Sequence, residues 1–568
     1  PEFYEYAAKD SRATLLVFNL LWEKAWEIHN RYVKPENNEA DVERAGPWAP
    51  LTEQIQVRAA LALGWMSRVG VHVDAKKLKE TISQIDSELQ EAIGKLEDDE
   101  TVKEFEKKEG ARILKHDKDG PVKLTEKGAP SKSIKLTRKF FAELCARHGE
   151  QAPRTAKRLI STARDDYVGM KACAAETAFE KYFRVQELVA ELNKPKDLLA
   201  HVAADGLVHS RYVPLVSTGR ATSRSPQIQN LSREGPVRSC LVPGEGNVFY
   251  DVDYSVLELA ALASGCRHRY GHSSLGDRLD RAEDPHIFTA AQILNKPADQ
   301  VTKDERQAAK VYNFGVPGGM GPKSLVRQAK VAYGIDITEA EAERWRTKLI
   351  REVYPEIGEF LDDHLDRFIS GVLGIPVEEI IEDLIETTEA DSFSPDARSW
   401  ILKSIERALQ GGETANGNHY NEDWMVKVWQ GLRRAYTLSL SVQDRNPDIE
   451  KVLDDCVTGK SVARLFFFTR AVTLTGRVWS DVNFRQAHNA QFQGLAADGA
   501  KLALYRLVRE GYRPVLFVHD EVVLEVPDDG NKEQAAANID RVLIEEMERV
   551  IPDVPIRVEG QFMSHWGK

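Results

Sequence analysis

Cysteine is scarce in this sequence: 568 residues hold five, at positions 145, 173, 240, 266 and 456. No two of them stand at the spacing of a zinc module or a disulfide framework. A reducing compartment, the cytoplasm, is therefore expected. Nowhere does an apolar run approach the roughly 20 residues that span a bilayer, and the N-terminus lacks the basic-then-apolar pattern of a signal peptide, so no membrane partner is expected. Positive charge is also in short supply. Against 89 Asp and Glu stand 77 Lys and Arg, a formal net charge of −12. This does not exclude a nucleic-acid partner, because affinity depends on local basic patches rather than on the total. An initiator Met is missing too. The chain opens on Pro1-Glu2-Phe3 and reads as a piece of something longer.

What is present is ordinary for a globular protein, 42% apolar and 29% charged, at a length that predicts two to four domains. Helical periodicity dominates from 50 to 200, in segments such as Thr81–Leu96 and Phe179–Leu192. Within it, Lys103 to Arg164 is rich in Lys and Arg and broken by Gly120-Pro121 and Gly128-Ala129-Pro130. Both a solvated linker and a grip on a DNA backbone fit that stretch. β-type runs follow at Leu207–Val213 and Val248–Asp253, then a helix from Val256 to Ser264. A second β cluster, Phe466 to Trp479, precedes a helix from about Phe484 to Arg509. The stretch Pro514 to Val526 places two apolar runs around His519-Asp520-Glu521, a hairpin with an acidic tip. Residues 370–460 are acidic and helical, with a cap-then-proline start at Ser394-Pro395. Trp400, Trp424 and Trp429 are expected to give that block a small core of its own.

The stretch Asp304 to Gly315 carries the chemistry most plainly. Arg306, Lys310 and Phe314 recur every four residues, which stacks a guanidinium, an ammonium and an aromatic ring on one face of a helix. Two cations able to grip a triphosphate, then a ring able to stack on a base, point to a nucleoside triphosphate laid along that helix. Asp253 ends a strand and Asp520 sits on a hairpin tip. Two carboxylates on rigid ends suit a pair of divalent cations.

These motifs, in this order, resemble those of the family A DNA polymerases, the bacterial DNA polymerase I group. Asp253-Tyr254-Ser255-Val256-Leu257-Glu258-Leu259 is similar to motif A, Arg306 to Gly315 to motif B, and His519-Asp520-Glu521 to motif C. Thr218-Gly219-Arg220 leading to Gln229-Asn230 resembles the family's Thr-Gly-Arg segment. Arg485, Asn489 and Gln493 resemble its primer–template helix, and His286 a histidine of its fingers. The fold this implies is α+β, a right hand with an antiparallel palm sheet and mainly helical thumb and fingers. The parts fall at 50–200 (thumb), 201–280 and 466–568 (palm) and 281–465 (fingers, carrying the helical block 370–460), with 1–49 a remnant of an exonuclease domain and a linker. The activity implied is template-directed DNA synthesis from dNTPs on a primer–template, by a monomer.

The resemblance also implies roles. Asp253 and Asp520, with the Tyr254 carbonyl, would hold two Mg²⁺ ions, for which Mn²⁺ can substitute. Arg306, Lys310 and His286 would hold the triphosphate, with Lys310 protonating pyrophosphate. Phe314 and Tyr254 would border the nucleotide, and Glu258 would occupy the space of a ribose 2′-hydroxyl. Arg220, Gln229, Asn230, Arg485, Asn489, Gln493, His519 and Glu521 would line the primer–template. Minor-groove acceptors vary little between base pairs, so such side chains test pair shape without reading sequence.

Two positions depart from the pattern. Gly318 stands where the family places a Tyr four residues after the Phe, and Pro317 with Gly318-Gly319 should end the helix there. Val256 stands where a Gln is common. The glycine-rich ending resembles certain bacteriophage members, which would place the chain in a host cytoplasm. Tyr6-Ala7-Ala8-Lys9-Asp10 resembles the last motif of a 3′–5′ exonuclease whose earlier acids are not in the sequence, so no proofreading is expected of this stretch. Residues 370–460 read either as a solvated elaboration or as a docking site for a replication accessory protein. A single-subunit RNA polymerase and a catalytically silent DNA-binding scaffold are the competing readings.

Overall fold

The computed structural model describes residues 51–361 and 469–567, apart from loop positions 117–121, 124, 126–129, 156, 157, 217, 234, 336 and 483. The expectations for 1–49, for Phe466–Phe468 and for the block 370–460 with its tryptophans lie outside the described residues.

Helix α1 (Leu51–Val69) buries Ile55, Ala59, Ala62, Leu63 and Met66, the i, i+4, i+7, i+8, i+11 stripe of an amphipathic helix. That stripe packs into the core of the C-terminal half. After strand β1 (Val71–Val73), Asp74 caps α2 (Ala75–Glu97) by accepting from the Lys77 N–H at 2.9 Å. Helices α3 (Glu100–Glu109), α4 (Ile134–Arg147), α5 (Lys171–Ala175) and α6 (Thr177–Ala200) complete a unit with a separate aromatic core. The Phe141 ring lies 4.7 Å from Phe179, 5.0 Å from Tyr182 and 5.1 Å from Tyr167, edge-on in each case. The Lys/Arg-rich stretch 103–164 is thus no linker. Phe140 and Phe141 lie in its middle and are fully buried.

The apolar run 207–213 is split between two sheets. Strand β2 (Leu207–Val208) pairs with β1, whereas β3 (Arg211–Val213) pairs with β4 (Thr222–Arg224). Strand β5 (Leu241–Val242) closes the first of these sheets, in the order β2-β1-β5.

Strand β6 (Asn247–Tyr254) centres the main sheet and leads into α7 (Leu257–Tyr270), which runs six residues past the expected end. Helices α8 (Ser274–Asp280), α9 (Pro285–Leu294), α10 (Lys303–Gly315), α11 (Pro322–Tyr333) and α12 (Glu339–Lys348) follow. After the undescribed block come the hairpin β7 (Thr469–Val472) and β8 (Val478–Val482), then the long helix α13 (Phe484–Arg509). Strands β9 (Arg513–Val518) and β10 (Glu521–Pro527), helix α14 (Lys532–Glu548) and β11 (Val558–Met563) end the described chain.

The main sheet is antiparallel throughout, in the order β11-β6-β10-β9. Its centre strand alternates as a two-sided strand must. Tyr250, Val252 and Tyr254 enter the large core shared with α1, α7, α13 and α14; Phe249 enters a smaller one with Val518, Val523 and Trp566. Asp251 and Asp253 share the face of Phe249. The class is therefore α+β, with the sheet carrying the acidic residues at one end.

Candidate active site

The register of the sheet brings the two candidate carboxylates together. Asp253 stands opposite Glu521, and Asp520 precedes Glu521 in the β9–β10 tip. The tip turns because His519 takes a left-handed backbone, φ 62°, a conformation that residues with a Cβ adopt at a cost. At the end of β6 the chain makes a second such turn. Val256, β-branched yet at φ 50°, swings Ser255 to Glu258 around the same opening. Asp253 Oδ1 is buried without a hydrogen-bond partner. Burial, then the charges of Asp520 and Glu521, pushes the Asp253 carboxyl up to about 7. Burial likewise raises Asp520. A close acid pair with an unsatisfied buried oxygen is short of positive charge. Hard oxygen donors of this kind fit divalent cations.

The opposite wall is helix α10. It begins at a capping box in which Thr302 Oγ1 accepts from the Glu305 N–H at 3.3 Å and Glu305 Oε2 accepts from the Thr302 N–H at 2.8 Å. From that start, Arg306, Lys310 and Phe314 point along one face into the cleft. Arg306 Nε donates to Asp284 Oδ2 at 2.7 Å. Asp284 also caps α9 through the His286 and Ile287 N–H groups, with Pro285 at the first helical position. The His286 ring stands 5.4 Å from that of Phe314. Its Nδ1 accepts from the Asn313 amide at 3.0 Å, and Asn313 is itself fixed by Thr289 Oγ1 at 2.9 Å. Burial pushes His286 down to about 4. The imidazole is therefore neutral near pH 7 and carries its proton on Nε2. Burial first, and Arg306 second, also hold the Lys310 ammonium below the usual lysine range.

Glu258 closes the cleft from the side. Its Oε1 is ion-paired with Arg220, and its Oε2 accepts from Gln493 Nε2 at 3.4 Å. The cleft so enclosed is about 500 Å³, lined by Arg220, Asp253, Tyr254, Glu258, His286, Arg306, Lys310, Phe314, His519 and Asp520. Tyr254 borders it through its backbone alone. Its side chain is turned into the core, where the hydroxyl donates to the Leu543 carbonyl at 2.9 Å.

The remaining expected DNA contacts are scattered. Asn230 is exposed, whereas Gln229 is buried, its amide donating to the Phe517 carbonyl at 2.8 Å and its Oε1 accepting from the Ser223 N–H at 2.8 Å. Glu521 lies behind the tip. Trp566 Nε1 donates to it at 2.6 Å, and Arg238 and Arg233 stand 3.8 Å away, so its carboxylate serves the protein interior. Asn489 sits on α13 facing the turn after α10. Arg485 belongs to the first turn of α13, and its side chain lies outside the described ones.

The structure adds residues to which the sequence reading gave no role. Arg233 and Glu559 line the cleft, Arg233 facing Asp253, and Glu559 accepting from Ser255 Oγ at 3.0 Å. Asn313 and Asp284 orient His286 and Arg306. Arg233 lies in an irregular loop with no periodicity to betray it. Asn313 left one signal, a polar residue between Tyr312, which is buried, and Phe314, which faces the cleft.

A family model for DNA polymerase family A matches residues 131–371 and 451–568, more than half of the chain. Among curated relatives, DNA polymerase I of Aquifex aeolicus (strain VF5) is 30% identical over 217 residues, 38% of this chain and 35% of that protein. The thermostable DNA polymerase I of Thermus filiformis is 28% identical over 516 residues, 88% of this chain and 47% of that protein. That of Thermus aquaticus is 28% identical over 444 residues, 76% and 41% respectively. The chain thus spans less than half the length of these relatives. Among solved structures, the POL domain of Pol1 from M. smegmatis, in complex with DNA primer-template and dNTP, superposes with a TM-score of 0.55 at 18% identity. The match covers 90% of this chain and 70% of that one.

Proposed function

Because the chain belongs to DNA polymerase family A, we propose that it is a DNA-directed DNA polymerase that extends a primer 3′-hydroxyl with dNTPs. One observation supports this above all: the Asp253–Asp520 pair and the Arg306–Lys310–Phe314 face, more than 50 residues apart in sequence, border a single cleft. In this reading Arg306, Arg233 and the neutral His286 Nε2–H bind triphosphate oxygens, while Phe314 packs against the base. The primer 3′-hydroxyl loses its proton to water as its oxygen attacks the α-phosphate, the bond to the bridging oxygen breaks, and Lys310 Nζ gives its proton to the departing pyrophosphate. An ammonium already held below its usual range is a better acid for that step. Asp253, Asp520 and the Tyr254 carbonyl would hold Mg²⁺, or Mn²⁺ in its place. Bound there, it supplies neutralisation of the charge that grows on the attacking and leaving oxygens.

We further propose a monomer working in the cytoplasm on primer–template DNA, with residues 370–460 receiving an accessory protein. In a primer-extension assay the full chain is expected to incorporate dNTPs, and Asp520→Ala to lower kcat by about a hundredfold or more, since several kcal/mol of charge stabilisation is removed. Undiminished extension by that variant would overturn the assignment.

A further inference from the structure

Helix α13 carries a lysine that the proposed reaction does not use. Lys501 is fully buried, among Ala500, Leu502 and Leu504, which are buried as well. An amine in such a place is costly unless each N–H finds an acceptor. Here two do: Lys501 Nζ donates to the Gly219 carbonyl at 2.7 Å and to Gln56 Oε1 at 2.8 Å. Gln56 in turn donates to the buried Asp498 at 3.2 Å, and Asp498 pairs with Arg477 and accepts from Thr475 Oγ1 at 2.7 Å. A neutral amine has two N–H groups, and both are spent. Burial, with Arg477 nearby, pushes Lys501 down to about 6, in keeping with that count.

The acceptor matters as much as the donor. Gly219 holds a left-handed backbone, φ 83°, at the centre of a closed turn. Its N–H donates to the Val216 carbonyl at 2.8 Å, and the Val216 N–H donates to the Arg220 carbonyl at 2.9 Å. Pinning the Gly219 carbonyl therefore fixes the backbone from which Arg220 departs. Arg220 then binds Glu258 Oε1. Two turns before Lys501 on the same helix, Gln493 donates to Glu258 Oε2. One helix thus holds both oxygens of the Glu258 carboxylate, the second directly and the first through the Gly219–Arg220 turn.

We propose that Lys501 is a positioning residue that sets Glu258 through Gly219 and Arg220, and so governs discrimination between deoxyribose and ribose nucleotides. The inference rests on the polymerase reading and on Glu258 as the residue that fills the space of a 2′-hydroxyl. Lys501→Met keeps all but the terminal atom of the unbranched side chain and removes its donors.

In single-nucleotide incorporation on a primed template, the variant is expected to lower the dNTP:rNTP ratio of kcat/KM by about tenfold, the scale of one hydrogen bond. Its dNTP kcat is expected to stay within about twofold of wild type. In an Arg220→Ala background, Lys501→Met is expected to add no further loss, since the path runs through Arg220. A folded Lys501→Met with unchanged selectivity, or losses that simply add, overturns the inference. If that variant does not unfold cooperatively, Lys501→Gln, polar but one bond too short to hold the Gly219 carbonyl as Lys501 does, replaces it, and unchanged selectivity there overturns the inference equally. Wild-type chain that extends no primer sinks the polymerase reading and the inference together. Wild type that extends and selects while the variants select as well sinks the inference alone.

Discussion

Glycine at position 318 shows how much one missing side chain decides. Helix α10 ends at Gly315, and the chain turns through Val316–Gly319 with the Met320 N–H donating back to the Gly315 carbonyl at 2.9 Å. Pro317 and the two glycines predicted this stop, and Gly319 takes φ 77°, as such a turn requires. What the sequence did not say is where the turn would press. A Cβ on Gly318 would meet Asn489 Oδ1 at 2.8 Å, with the Phe314 carbonyl 3.4 Å away. The turn after α10 therefore packs its bare backbone against α13, and no aromatic ring fits between them. Gly318→Ala is expected to destabilise the protein by about 1–3 kcal/mol through overpacking. Adding Asn489→Ala removes the obstructing carboxamide and is expected to restore part of that loss. Urea unfolding of the two single variants and the double variant measures the coupling.

At the scale of elements, α13 connects the most distant parts of the described chain. Asn489 meets the turn after α10, Gln493 meets Glu258, and Lys501 meets Gly219 and α1. The helix itself was legible in the sequence, expected from about Phe484 to Arg509 and found over that span. Its buried polar residues were not, because a lysine or aspartate on a helix ordinarily faces water. Two of their partners, Gln56 and Gly219, lie hundreds of positions away. A pH dependence follows from this burial. The Lys501 amine titrates near 6 in the folded chain and near 10.4 when unfolded, so between those values the unfolded state binds the extra proton. Stability due to this group should rise with pH across that window, with a slope of at most about 1.4 kcal/mol per pH unit, and be flat below it. The difference in unfolding free energy between wild type and Lys501→Met, measured from pH 6 to 9, is expected to follow that rise. A flat difference would mean that the buried amine stays charged.

For the whole molecule, the division of cores matters most. The aromatic cluster of α2 to α6 is built from its own residues, while α1 joins the core beneath the main sheet. Leu78 of α2 and Leu198 of α6 reach the smaller core with Val518 and Val523, but the aromatic cluster does not, so the part around Phe141 is expected to loosen without dismantling the cleft. Phe141 is fully buried against five rings. Phe141→Ala is expected to cost about 3–5 kcal/mol. Hydrogen exchange should show α2–α6 opened while β6, β9 and β10 stay protected, with primer–template affinity reduced and the cleft residues unmoved. Equal loss of protection in the main sheet would show one cooperative unit instead. The negative total charge is compatible with the proposed DNA partner because Arg220, Arg233, Arg306 and Lys310 converge on one opening.

The sequence by itself determined the chemistry-bearing face of α10, the acidic hairpin tip, the class of the fold and the family. Each of these is a local pattern: a period of four, a strand–turn–strand alternation, a motif at fixed spacing. Tertiary structure alone decided that Arg233 enters the cleft from an irregular loop and that Gln229 and Glu521 bond to groups of the protein interior. It also decided that Tyr254 offers only its backbone, and that a buried lysine holds the Gly219–Arg220 turn. Those facts depend on which distant groups satisfy a buried donor or acceptor. No periodicity along a chain encodes the far partner of a hydrogen bond.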